Sequence, residues 1–442
     1  MKRFPRILLI NGEPISGLSA TGITLSNLFR GWPLDHMAQI YTANLAPDCS
    51  LCVNNWKLST HDMWALGFYH QRKQTSNNGS PVVREEGRGF STDASLIARM
   101  RSLLTPWMDL FPYRLSDELV TRLKEFKPEV IYSTLGNIRL LRVVNELSER
   151  FSIPVVPHFM DDWLSTYSSQ GKSVVSLLQR RVIGRLTSDV MARSPRGMAI
   201  GDLMAEEYGR RYERPFTAFM NPVHINEAKS QYRAIHQAAG NVKVRFVYIG
   251  GLHLGRIANI VDIGKAIARL RSGGLDTEFS VYTPGADLEM FRGEIMSTGG
   301  VASCASIPPE QVQEILRQSD VAIHVESFVD SMSQYTRLSV STKIPQYFAA
   351  ALPVLAYGPS RIASCRYVVD NKCGLGVDER REGALDATIM DLAINQELRE
   401  RLGRNAFGVA LEKHDAIVER ERFRSCIELV AACGRIEHHH AP

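Results

Sequence analysis

No run of apolar residues in this chain approaches the roughly 20 that a membrane-crossing helix requires, so helical membrane insertion is not expected. Cysteine is sparse: seven residues, odd in number and scattered, which argues against a disulfide framework and suits a reducing compartment. Cys49 and Cys52 form a lone CxxC with neither a second pair nor a neighbouring histidine cluster, too little for a zinc or redox centre. Gly12, Gly17 and Gly22 are not spaced as GxGxxG, so no bound dinucleotide follows from them. No nucleic-acid-binding motif is present. The opening MKRFPRILLINGEP imitates a secretory signal only briefly, because Asn11, Gly12 and Glu13 interrupt its short apolar part. It reads as a first strand in a cytoplasmic protein.

What is present is apolar material, 44% of 442 residues, sufficient for two cores. Charge is uneven. Residues 1–240 carry 29 Lys and Arg against 22 Asp and Glu, and subtraction from the totals of 52 and 47 leaves 23 against 25 for the rest. The basic front half fits an anionic partner, either a membrane face or a phosphate-bearing acceptor, or is simply a solvated basic surface.

In the front half, Arg6 to Ile10 is an apolar strand running into NGEPISGLSATG and a helical pattern from Ile23. Gly17 and Ser19 in that loop are either cleft residues or plain turn chemistry. Residues 66–92 are polar, Gly-rich and aperiodic, as in a long loop. Residues 95–113 mix apolar side chains with Arg99, Arg101, Trp107 and Tyr113, a pattern that suits a helix on a membrane surface or one packed in a core. From Ser116, a serine of the type that caps helix starts, helix and strand patterns alternate through VIYST, NIRLLRVVNELSERF and PVVPHFMDDW, which implies a parallel sheet. His158, Asp161, Asp162 and Trp163 are expected just past a strand, open to the crevice. There His158 or Asp161 orients or deprotonates a hydroxyl, or an aspartate only caps the next helix. Arg180, Arg181 and Arg185 give a following helix a second basic face, and HINEAKSQYRAIHQAAGN reads as a domain boundary.

VRFVYIGG restarts the pattern, with Gly250 and Gly251 permitting close backbone approach. A later strand closes on Glu326 and Ser327; Glu326 either contacts a nucleotide or pairs with Arg337 or Lys343. The stretch LSVSTKIPQYFAAALPVLAYGP, Leu338 to Pro359, organises the rest. Ser339, Ser341, Thr342 and Lys343 open a helix whose Ile344, Tyr347 and Phe348 fall at i, i+3 and i+4. An exposed helix start carrying hydroxyls and a lysine suits an anion such as a diphosphate, or is an ordinary polar cap.

The string STKIPQYFAAALPVLAYGP resembles the donor-site segment of GT-B glycosyltransferases, especially the large group with retaining members that makes surface polysaccharides and glycoconjugates. PHFMDDW is similar to the DFRDPW-like signature of one branch, and His414-Asp415 to a common HD pair. The resemblance implies an α/β fold of two Rossmann-like, doubly wound parallel-sheet domains facing a cleft. Residues 1–222 would be the acceptor domain, 223–243 a linker, 244–410 the donor domain, 411–434 a helix crossing back, and 435–442 a disordered tail. It also implies transfer of a sugar from a UDP- or GDP-linked donor to a saccharide or lipid-linked acceptor, without cofactor or metal, by a cytoplasmic enzyme that can touch a membrane peripherally.

On that resemblance Ser341, Thr342, Lys343, Gly17, Gly250 and Glu326 line the donor site, Gln346 takes the place of the ribose-binding acid, and His158 and Asp161 act on the acceptor. Arg256 stands where a phosphate-binding lysine is usual, and Gly251 where an arginine is. The paired glutamates are replaced by Leu338 and Gln346, which keeps a second reading open: a catalytically silent GT-B protein that binds a sugar nucleotide or a partner glycosyltransferase.

Overall fold

The computed structural model describes residues 3–17, 19–58, 115–169, 174–225 and 243–439. The loop expected over 66–92, the amphipathic stretch over 95–113 and most of the expected linker lie outside these residues.

Apolar runs bounded by glycine, proline and polar residues form two wholly parallel sheets. The first contains β1 (Ile7–Asn11), β2 (Met37–Tyr41), β3 (Asn54–Lys57), β4 (Val130–Ser133), β5 (Val155–Phe159), β6 (Gly197–Ala199) and β7 (Phe216–Ala218), in the order β3-β2-β1-β4-β5-β6-β7. The second contains β8 (Val244–Ile249), β9 (Thr277–Tyr282), β10 (Val301–Ala305), β11 (Val321–Val325), β12 (Val354–Tyr357) and β13 (Gly374–Val377), in the order β10-β9-β8-β11-β12-β13. β1, β5 and β11 are buried along their whole length because helices cover both faces, which is why they read as unbroken apolar runs. In each sheet the strand order reverses beside the first strand of the unit. Ile7 pairs with Met37 on one side and Val130 on the other, and Phe246 pairs with Phe279 and Val321. Crevices for ligands open beyond the carboxyl ends of the strands at such reversals.

Helix starts follow the side chains that cap them. The Ser116 hydroxyl accepts from the Leu119 amide at 3.3 Å, opening helix Asp117–Phe126, and Asn137 accepts from Leu140 at 3.0 Å, opening Ile138–Phe151. The chain then ends on helix Ala416–His439. Its Phe423, Ile427 and Val430 join Ile7, Leu9, Val130 and Tyr132 in one cluster against the first sheet, so the crossing-back of the last helix holds. Phe423 meets Phe29 and Phe219 edge to face, with centroids 5.0 and 5.3 Å apart. The helix continues to His439, so the disordered tail expected from 435 is a correction: four-residue-spaced backbone bonding persists beyond Gly434. Where the chain leaves the first sheet, Val223 donates to the His414 carbonyl at 2.8 Å and accepts from Ala416 at 2.9 Å, fastening exit to return. No helix among the described residues is long and apolar enough to cross a membrane.

Candidate functional site

β8 runs out into Gly250-Gly251, and the next helix, Arg256–Ser272, starts after Gly255, whose φ of 74° is left-handed and suited to glycine. This turn aims Arg256 back across the strand ends. Its guanidinium meets Glu326, the residue just beyond β11, at 3.1 Å; Glu326 is buried and Arg256 half-buried. Glu326 also lies 3.3 Å from His324 and accepts from the Thr336 hydroxyl at 3.0 Å. Burial pushes the Glu326 carboxyl up, but Arg256, His324 and Thr336 outweigh it and hold the group at about 2. Glu326 is therefore a carboxylate, and its partner is Arg256 in place of the expected Arg337 or Lys343. The Arg256 Nε stays buried with no hydrogen-bond partner among the described residues.

Lys343 completes the cluster. A Cβ on Gly250 would lie 2.6 Å from its Nζ, so the missing side chain at Gly250 is what makes room for the ammonium. Burial, reinforced by repulsion from Arg256 and opposed by Glu326, lowers the Lys343 pKa to about 8. Its side chain has no hydrogen bond or ion pair among the described residues. Gly251 is closed differently, since a Cβ there would sit 2.6 Å from the His253 ring; burial and the two cations lower the pKa of that imidazole.

The segment before Lys343 departs from expectation. The helix covers only Ile344–Ala349, and its lead-in is not an open polar cap. Leu338, Ser339 and Val340 are buried; the Ser341 amide donates to Ser364 at 2.9 Å, and the Thr342 carbonyl accepts from Asn221 at 3.1 Å. Asn221 in turn accepts from Asn27 of helix Ala20–Phe29 at 2.9 Å, so both halves of the molecule hold this turn. Gln346 is half-buried nearby.

From the first sheet, Asp161 reaches the same cleft. It accepts from Tyr335 at 3.1 Å and Ser339 at 3.3 Å, and burial raises its carboxyl pKa against those bonds and the Arg256 charge. Asp162 is buried beside it, accepting from Ser165 and Tyr208 at 2.8 Å each and from Arg337 at 3.4 Å. His158 is a correction. It lies within β5 and not past its end, fully buried, with Nδ1 2.6 Å from the Tyr132 hydroxyl. Burial lowers its pKa to about 4, so it is neutral and turned into the sheet. Strand alternation explains this: in β5 the side chain at 158 points to one packed face, and only residues beyond Phe159 are released into the cleft.

The structure thus brings Arg256, Glu326, Lys343 and Gly250 together at the second sheet's crevice and sets Asp161 across from them. Gly17 is exposed in the loop after β1, with nothing within 4 Å of an added Cβ, and Ser19 caps the following helix by accepting from the Gly22 amide. Sequence reading missed Tyr335, Thr336, His324 and His253, which carry no motif, and placed Ser339 in an open helix start where it is in fact buried and donates to Asp161. The one available signal was the two-residue spacing of His324, on β11, and Glu326, just beyond it.

No protein-family model matches the chain, and no curated protein matches it in sequence. Solved structures match it over nearly their whole length. Anabaena Alr3699/HepE in complex with UDP is 12% identical, with TM-score 0.60, covering 96% of this chain and 99% of its own. Sucrose-phosphate synthase from Thermosynechococcus elongatus is 11% identical, TM-score 0.62, covering 97% and 100%. WaaG, a glycosyltransferase involved in lipopolysaccharide biosynthesis, is 14% identical, TM-score 0.53, covering 95% and 99%.

Proposed function

We propose, for a chain whose two parallel sheets and returning helix have the GT-B fold, that it transfers a sugar from a nucleoside-diphosphate donor to the hydroxyl of a saccharide or lipid-linked acceptor. The observation that carries this is the Lys343 ammonium, seated on Gly250 beside Arg256 and without a protein partner among the described residues. A diphosphate supplies the counter-charge that Lys343 lacks, and the buried Arg256 Nε offers it a further donor. The likeness to HepE, solved with UDP, supports a nucleotide of this kind.

In the reaction so read, the bond from the sugar's anomeric carbon to the phosphate oxygen breaks, and a bond to the acceptor oxygen forms. The acceptor proton passes to the departing phosphate, and Lys343 and Arg256 stabilise the charge that builds there. Asp161, facing the cleft, orients the acceptor hydroxyl. Glu326 holds Arg256 in position, and Ser341, Thr342 and Gln346 line the donor's path. The basic front half serves as the acceptor side and allows peripheral contact with an anionic membrane.

A second reading has its own support. Glu326 already neutralises Arg256, and the buried Leu338 and neutral Gln346 stand where two acids are usual, as in a protein that binds a sugar nucleotide or a partner without turnover. Thermal melting with UDP, GDP, ADP and their sugar conjugates, followed by an assay for nucleoside-diphosphate release, separates the two. Stabilisation with release supports transfer; stabilisation without release over a panel of acceptors supports the silent reading.

A further inference from the structure

A cavity of about 650 Å³ opens in the first half of the molecule between helices Trp163–Ser169, Val174–Ala192 and the end of Asp202–Tyr212, away from the Arg256 cluster. That volume suits a small organic ligand. Among the described residues three arginines line it, Arg180, Arg211 and Arg214, with one acid, Glu213. Arg211 is fixed by Glu207 at 3.1 Å and lies over the Tyr208 ring at 4.6 Å, with Asp162 at 3.5 Å. Arg214 is exposed, and its side chain has no ion pair or hydrogen bond among the described residues. Ile183 and Met191 form an apolar floor. Beside them the Thr187 hydroxyl is buried with no partner among the described residues.

We infer that this cavity is a second anion site, which takes a phosphate group borne on a small organic body. Arginine forks match phosphate oxygens two at a time, the Thr187 hydroxyl supplies one further bond, and the floor accepts the apolar part of the body. Lys343 and Arg256 take no part, so the inference stands or falls apart from the donor reading. The same chemistry arrives in two forms, a soluble phosphomonoester or a phospholipid headgroup.

The test uses the full chain carrying Lys343→Ala, which weakens the donor cluster. Glycerol 3-phosphate and inorganic phosphate are titrated by calorimetry, and vesicles of phosphatidylcholine with and without phosphatidic acid are assayed by co-sedimentation. Saturable binding of the soluble probes identifies a metabolite site, and retention only by phosphatidic acid identifies a headgroup site. In either case Arg214→Ala and Thr187→Val, each checked for an unchanged melting temperature, are expected to weaken binding about tenfold. Absence of saturable binding by every probe, or binding that both substitutions leave intact, overturns the proposal.

Discussion

His158 is fully buried and Lys343 half-buried, and their environments send these two titratable groups to opposite uses. His158 sits in β5 against Tyr132 with its pKa lowered from 6.5 to about 4. The unfolded chain takes the proton first as pH falls, so this stability is complete above pH 6.5 and drains away as pH drops towards 4. The shift corresponds to about 3 kcal/mol. His414, lowered to about 3 by burial against Tyr367, adds to the same slope. Melting temperature measured from pH 7 to pH 4 is expected to fall less steeply in a Tyr132→Phe, His158→Leu double variant; an unchanged slope contradicts the assignment. Lys343, lowered to about 8, keeps its charge at neutral pH and loses it just above. A bound diphosphate restores the proton, so nucleotide affinity is expected to decline by up to tenfold per pH unit above 8, measured as dissociation constants between pH 7 and 9.

At the scale of elements, the site depends on a strand end and a short helix meeting without a side chain between them. Gly250→Ala places a methyl group 2.6 Å from the Lys343 Nζ and 3.1 Å from the Tyr248 hydroxyl. The ammonium moves more easily than the strand, so nucleotide affinity is expected to fall about tenfold, equivalent to roughly 1.4 kcal/mol, with little loss of fold. Equal affinity in wild type and variant counts against Lys343 as the phosphate contact. The last helix has the opposite dependence, stability without chemistry. Phe423 fills the space between Phe29, Tyr132 and Phe219, and Phe423→Ala is expected to cost about 3–5 kcal/mol in the first domain's urea transition. A cost below about 1 kcal/mol would mean that the helix merely rests on the sheet.

Over the whole molecule, what was legible in the sequence was the part written in local patterns. Apolar strands such as Ile7–Asn11 and Val321–Val325, each followed by a helical stripe, are buried on both faces and announce parallel sheets. The weakly buried Asn54–Lys57 edge strand carried no such signal, and was not singled out. The site was half legible. Lys343, Arg256 and Glu326 follow strand and helix ends that the pattern locates, but the Arg256–Glu326 pair joins residues 70 apart in sequence. Tyr335 and Ser339 bond Asp161 across the cleft, a contact made only once two domains face each other. His158 was misplaced because a polar residue inside the end of a strand and the first residue released beyond it look alike in sequence.

The central claim is that Lys343 and its neighbours bind a nucleoside diphosphate. Calorimetric titration of UDP, and of GDP and ADP in parallel, into wild type and Lys343→Ala at neutral pH tests it most directly. The expected result is one nucleotide bound at micromolar concentration by wild type, with affinity reduced at least tenfold in the variant, a difference of about 1.4 kcal/mol. Binding of equal strength in both proteins, or none up to millimolar concentration in either, would contradict it.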